Sequence, residues 1–328
     1  MTEASKANVR RVSLQERALP VGNVIGINGY KVNRAALRKQ IEEEGYHVHE
    51  TPNFFVVLRS EFPSIIVIHW FAPEALDASL GDYILQELKP LGVLTGTQDF
   101  DDVFGAVVGS LFPYNTQQAW YTYTANTLQR FLFLLNNITP ASSLSFHSTF
   151  DTFARLYHRV YELQVGERFL DAGCSSGYLP LLMAEHFPSL SKNIGVDIRS
   201  HPFETARMLA KARGLKNVQF VQADLLDENV IKLGSFDTIT MLHVLEHFTE
   251  GDMYNVLTNL LKITAQRLII AVPYERGIPE KVYGHEQLFS QAKLEDIGRW
   301  CLQQWHGSGR MWYENCADGL LVLDRYPS

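Results

Sequence analysis

Two stretches, HVLEHF (243–248) and YGHEQLF (283–289), carry His243, Glu246, His247 and His285. Imidazole titrates near neutral pH, so such a histidine can take the proton from a hydroxyl or amine as it attacks an electrophile. The same nitrogens, joined by a carboxylate, also suit zinc, iron, manganese or cobalt. H-x-x-E-H matches an inverted zinc-protease spacing. That site needs a long helix and a further acidic ligand, whereas here the motif directly follows the strand-like FDTITML and opens a loop. His247 and His285 are therefore read as candidate bases. His243, Glu246, His247 and His285 are the candidate metal ligands. The plain alternative is that the histidines only hydrogen-bond their own loops.

A second constellation begins at ERFLDAGCSSGYLP (167–180). An apolar strand ends at Asp171, and a turn from Gly173 to Gly177 leads into a helix. Glycines let the backbone approach a ligand, and a helix N-terminus adds partial positive charge. A dinucleotide would want G-x-G-x-x-G, with its pyrophosphate at that helix end. The spacing here is D-x-G-x-S-x-G, and Asp171 would repel a diphosphate by on the order of 1 kcal/mol or more where solvation is poor. S-adenosylmethionine reverses the sign, because its amino-acid end carries an ammonium and its sulfur is a sulfonium. Asp197 closes NIGVDI and is placed for ribose hydroxyls; Asp224 closes VQFVQAD and is placed for an adenine amino group. Each aspartate alone reads more simply as a cap or a solvated side chain. Three at consecutive strand ends after a glycine turn carry more.

The elements that must position these residues alternate. RFLDA, NIGVDI, VQFVQAD, FDTITML and RLIIAVP read as strands. GYLPLLMAEHF, PFETARMLAKARG, GDMYNVLTNLLKIT and KLEDIGRWCLQQ read as helices. Such alternation implies crossover units and a parallel sheet. RMWYENC and GLLVLDR flank Asp318–Gly319, which reads as a hairpin turn closing an antiparallel edge. Upstream, VIGINGYKV, FFVVLRS and SIIVIHWF read as strands. A helix capped by Asn33 and closed by Gly45 follows the first of them. Helices broken by Pro90, Gly92, Gly96 and Pro113 fill 74–138. TFDTFARLYHRVYEL reads as a helix with Phe150, Phe153 and Val160 in the core. The domain expectation is disorder over 1–18, an N-terminal α+β region over 19–145 that covers substrate or oligomerises, and a catalytic domain over 146–328. TPASSLS (139–145) is the expected linker.

Composition narrows the classes. The 328 residues are 46% hydrophobic and 20% charged, with a formal net charge of −7. No run of like charges marks an extended nucleic-acid or anionic-membrane surface. Three cysteines without C-x-x-C spacing argue against a disulfide framework, and the longest apolar runs are too short to span a bilayer. A cytoplasmic protein is expected. The aromatic-rich segment 112–161 could line an apolar pocket or make a homo-oligomer contact.

In order and spacing, LDAGCSSGYL, GVDI, VQAD, FDTITMLHVLEHF and LIIAVP make residues 146–326 resemble class I S-adenosylmethionine-dependent methyltransferases of the small-molecule type. The resemblance implies a Rossmann-like doubly wound α/β sheet of seven strands, ordered 3-2-1-4-5-7-6 with the last strand antiparallel. It also implies S-adenosylmethionine as cofactor and S-adenosylhomocysteine as product. Position by position, it implies that Asp171, Gly173, Cys174, Ser175 and Gly177 form the glycine-rich turn and that Asp197 holds the ribose. Ile198 packs on adenine, Asp224 and Leu225 border the base, and Leu242 and His243 line the methionine end. Ser175 stands where many members have glycine. Methyl transfer needs no covalent enzyme intermediate, so Cys174 is read as a small packing residue; Tyr157 is a candidate lid contact. The histidine cluster resembles that of small-RNA 2′-O-methyltransferases, but His243 replaces a glutamate and Phe248 a second adjacent histidine.

The expected function is methylation of a small-molecule acceptor, with oxygen favoured over nitrogen or carbon. The alternatives are RNA or protein methylation at a metal-assisted His/Glu site, a non-catalytic donor-binding module, and a nicotinamide oxidoreductase.

Overall fold

Strands here begin where β-branched and aromatic residues cluster and end where a turn residue interrupts them. The structure, a computed structural model, describes residues 20–138, 148–275, 277–316 and 318–326. The expected disordered tail and the TPASSLS linker therefore lie outside the described residues. The chain divides into two compact units, one ending at Thr127 and the other beginning at Leu128.

The first unit holds β1 (Val24–Asn28), α1 (Arg34–Glu43), β2 (Val48–Glu50), β3 (Phe54–Leu58), β4 (Ile65–His69), α2 (Ser79–Leu88), α3 (Thr97–Gly109) and the start of α4 (Thr116–Asn137). Its sheet runs β1-β4-β3-β2, with β1 parallel to β4 and the other neighbours antiparallel. FFVVL and IIVIH are buried on both faces, so they appear as continuous apolar runs rather than alternating ones. Phe55, Val57, Ile66 and Ile68 face Leu37 and Ile41 of α1, while Phe54, Val56 and Val67 join a core that includes residues of α2 and α3. Asn33 caps α1 by accepting the Ala36 N–H, as its position implied. Gly26 lets α3 lie close, since a Cβ there would fall 2.0 Å from the Ala106 carbonyl oxygen.

His69 ends β4 fully buried. The Phe71 N–H donates to its Nδ1, so Nε2 carries the proton toward Ser110 Oγ at 2.7 Å, and that hydroxyl donates to the Val107 carbonyl. Burial pushes the imidazole down to about 3.

The second unit holds the end of α4, α5 (Thr149–Leu163), β5 (Arg168–Ala172), α6 (Tyr178–His186), β6 (Lys192–Asp197), α7 (Phe203–Ala212), β7 (Gln219–Gln222), β8 (Phe236–Leu242), α8 (Glu250–Ile263), β9 (Thr264–Val272), α9 (Gln291–Gln304), β10 (Gly309–Cys316) and β11 (Asp318–Arg325). The sheet order is β10-β11-β9-β8-β5-β6-β7, which renumbers within the unit to 3-2-1-4-5-7-6 read from the far edge. β5 to β9 pair in parallel, and β11 is antiparallel to both β9 and β10. The expected architecture is the observed one. Thr249 caps α8 by accepting from Asp252, and Pro180 lies in the first turn of α6, where no backbone donor is lost.

Two local expectations are corrected. Asp318–Gly319 is not the hairpin turn: pairing of β10 with β11 continues to Cys316 opposite Asp318, which places both residues inside β11. Gly319 is needed there because a Cβ would fall 2.6 Å from the Tyr274 ring. Phe153 is not simply core. It is half-buried with its ring 4.8 Å from that of His243, whereas Phe150 and Val160 are buried as expected.

The buried imidazole makes a pH prediction. Unfolded, His69 binds a proton below about 6.5, while folded it stays neutral down to about 3. Stability therefore falls as the pH drops through 6.5, because the unfolded chain takes up more protons. Between pH 7.5 and 4.5 this should cost about 2–3 kcal/mol. Urea unfolding of the full chain should show that increment in the wild type and its loss in His69→Gln.

Candidate active site

The C-terminal ends of β5, β6, β8 and β9 bring the predicted residues to one edge of the sheet, where open α/β sheets bind ligands. At the end of β5, Asp171 is buried and accepts the Thr240 hydroxyl at 2.7 Å. Burial raises its carboxyl to about 7, the Thr240 bond opposes that rise, and the nearby Asp197 charge adds to it. A carboxylate in this position is short of positive charge, and an ammonium would supply it. Tyr157 of α5 is buried next to it, and its phenol is pushed upward first by burial and then by the Asp171 charge. Phe131 of α4 packs 5.1 Å from Tyr157 and 5.6 Å from Tyr178, so aromatic rings from three helices gather beside the turn.

The turn itself is held by its neighbours. The Gly173 and Cys174 N–H groups both donate to the Val196 carbonyl at 2.8 Å. Asp197 accepts the Ser175 N–H on Oδ2 and the Arg199 N–H on Oδ1, which ties the turn to the end of β6. Gly173 has φ 84° and Gly177 φ 75°, and a Cβ on Gly173 would fall 2.4 Å from Val244. Ser175 also adopts a left-handed φ of 48°, the conformation that a glycine would take without cost. Cys174 packs against β6, since a Cβ on Gly195 would meet its sulfur, and burial raises its thiol well above the ordinary range. Ile198 is exposed, Leu225 and Leu242 are buried, and Asp224 accepts the Leu226 N–H.

The histidine cluster divides in two. His243 follows β8 in a left-handed conformation (φ 53°), with Nε2 2.9 Å from Asp318 Oδ2 and Nδ1 3.8 Å from Glu246 Oε1. Burial disfavours its cation, but the Asp318, Glu246 and Glu275 carboxylates outweigh that and raise it. The other three candidates converge. Among the described residues, ligand atoms of Glu246, His247 and His285 lie within 4.8 Å of one another, and His243 is not in that set. Glu246 is 1% exposed, neither carboxylate oxygen has a hydrogen-bond partner among the described residues, and burial lifts it to about 7. His247 is exposed and lowered by partial burial and by His285. Glu275 and Asp318 belong to this site and were missed in the sequence. Asp318 looked like turn chemistry, and Glu275 had no motif around it.

The matched family model confirms what the edge geometry describes: residues 169–267 fit a methyltransferase domain. The second unit carries a class I S-adenosylmethionine-dependent methyltransferase domain. A ubiquinone biosynthesis O-methyltransferase of Vibrio campbellii is 25% identical over 145 residues, which are 39% of this chain and 60% of that protein. The Nitrosococcus oceani protein of the same name is 36% identical over 93 residues, 28% of this chain and 37% of its own. The chain thus spans less than two thirds of the length of these relatives. A solved magnesium protoporphyrin IX methyltransferase from Synechocystis PCC 6803, with bound SAH, aligns at 17% identity and a TM-score of 0.43, over 60% of this chain and 93% of that one. Among the described residues, no helix is long and apolar enough to cross a membrane.

The residues of this methyltransferase domain fit the donor. The turn leaves no room for a Cβ at Gly173, and Asp171 is a buried carboxyl short of a cation. Gly173→Ala combines a left-handed φ with overlap on Val244 and should cost about 2 kcal/mol or more, with weaker donor binding. Ser175→Gly relieves one strain and adds unfolded-chain entropy, so its stability should stay within about 1 kcal/mol of wild type. Thermal unfolding and donor titration of both variants check the pair.

Proposed function

We propose that the protein transfers a methyl group from S-adenosylmethionine to a hydroxyl of a small molecule, with a histidine of the β8–β9 edge taking the proton. The observation that carries this reading is the adjacency of two functions on one strand. Thr240 of β8 holds Asp171, and His247 lies in the short turn Leu245–His247 that follows the same strand. Donor-end and proton-accepting groups thus share one short segment. When bound, S-adenosylmethionine supplies the methyl group and a sulfonium leaving group.

The chain's own part is alignment and proton handling. Orientation of an acceptor against the methyl carbon can be worth roughly 7–11 kcal/mol. A base adds about 10²–10⁴-fold. His247 is held down by burial and by His285, which favours the neutral ring that can accept a proton. Asp171, Gly173, Cys174, Ser175 and Gly177 would hold the amino-acid end. Asp197, Ile198, Asp224 and Leu225 would hold the nucleoside, and Leu242 and His243 would flank the methionine. Oxygen as acceptor is favoured by the names of the curated relatives and by the lowered His247 imidazole.

A second reading rests on Glu246, whose two buried oxygens have no hydrogen-bond partner among the described residues. With His247 and His285 it offers three ligands for a divalent cation, which would lower the pKa of an acceptor hydroxyl. The two readings separate in one experiment: labelled-methyl transfer to a panel of hydroxylated aromatic acceptors, before and after chelation. Under the first reading, alanine in place of the base, His247 or His285, lowers kcat by about 10²–10⁴-fold, donor affinity is unchanged, and chelation has no effect. Loss of activity on chelation and its return with one added metal would favour the second. Donor binding without turnover on any acceptor would overturn both.

A further inference from the structure

The loop after β9 contains a carboxylate that the motifs did not mark. We propose that Glu275 is a positioning residue that holds His285 as the Nδ1–H tautomer and so fixes Nε2 as its working nitrogen. Glu275 Oε1 lies 2.6 Å from His285 Nδ1, with the imidazole side chain 8% and the carboxylate 20% exposed. A carboxylate can only accept here, so Nδ1 carries the proton, and in the neutral ring Nε2 keeps the lone pair. The second oxygen of Glu275 is committed as well: it accepts the Glu280 N–H at 3.1 Å, and the Glu280 carbonyl in turn accepts the His285 N–H. The carboxylate therefore braces the loop at the residue whose carbonyl holds the backbone of His285. From the other side, the Glu286 N–H donates to the Glu246 carbonyl at 2.7 Å, fastening this loop to the segment after β8. The His285 ring packs edge-on to His247, 4.9 Å between centroids. Backbone, carboxylate and neighbouring ring thus leave the imidazole one orientation.

Fixing the tautomer matters for either use of the cluster. A base or a ligand acts through a nitrogen lone pair, and an imidazole free to exchange tautomers presents the wrong nitrogen for part of the time. Glu275→Gln keeps size and shape, but its amide NH₂ can donate to Nδ1 and favour the opposite tautomer. This is the change that separates orientation from packing.

The test is long-range proton–nitrogen correlation on full-length protein labelled with ¹⁵N-histidine, at a pH above imidazole titration. His285 is assigned from the peaks lost in His285→Gln. Wild type should give Nδ1 protonated and Nε2 bare, and Glu275→Gln should shift the population toward Nε2–H with the melting temperature unchanged. In the methyl-transfer assay the same variant should lose about 10²-fold or more in kcat with donor affinity within twofold, while Glu275→Ala should lose activity comparably. The kinetic arm rests on the proposed reaction; the spectroscopic arm does not, so failure of one is distinct from failure of the other. An Nε2–H or doubly protonated His285 in wild type, or a tautomer unaltered in Glu275→Gln, would overturn the assignment.

Discussion

A carboxyl buried at the end of the first strand of the parallel sheet is the constraint around which the second unit is arranged. Asp171 receives the Thr240 hydroxyl, but burial and the neighbouring Asp197 charge still hold it near 7. Such a group is costly as an anion without a cation beside it. The glycine turn that follows repels side chains by overlap rather than by charge, and Asp197 ties that turn to the next strand with backbone hydrogen bonds. Together these features favour a ligand that is cationic at one end and carries hydroxyls further along. They disfavour one that presents a diphosphate to the turn.

The chemistry just beyond the C-terminal end of β8 depends on the same scaffold. His243, Glu246 and His247 follow that strand, Glu275 and His285 follow β9, and Asp318 opens β11 opposite Cys316. Three carboxylates and three imidazoles collected from three chain segments make an electrostatically dense site. The carboxylates differ in role because their surroundings differ. Glu275 hydrogen-bonds His285, Asp318 lies 2.9 Å from His243 Nε2, and Glu246 is enclosed with Oε1 3.8 Å from His243 Nδ1 and, among the described residues, no hydrogen bond to either oxygen.

The sheet order, the crossover helices and the strand-end aspartates were legible in the sequence because each rests on local, repeated signals. Apolar runs such as FDTITML mark buried strands, and Asp171, Asp197 and Asp224 each end a strand-like run. What was not legible depends on contacts between distant segments. Asp318–Gly319 has the composition of a turn, and only the pairing of β10 with β11 shows it to be strand, with its carboxylate on His243. Phe153 has helical core spacing, yet its ring meets an imidazole delivered by β8. Glu275 lies in an irregular loop with no periodicity to betray it. The four-residue histidine set also could not be divided from sequence, since spacing does not reveal that His243 turns to Asp318 while the others converge.

The charge of Asp171 can be read directly from proton release. Titration of S-adenosylmethionine into the protein at pH 7, in buffers of different ionisation enthalpy, reports the protons exchanged on binding. If a cationic ligand end restores the missing charge, the carboxyl falls from about 7 and a fraction of a proton is released. That release should disappear in Asp171→Asn while binding weakens. Binding with no buffer dependence, or equally tight binding by Asp171→Asn, would contradict the account.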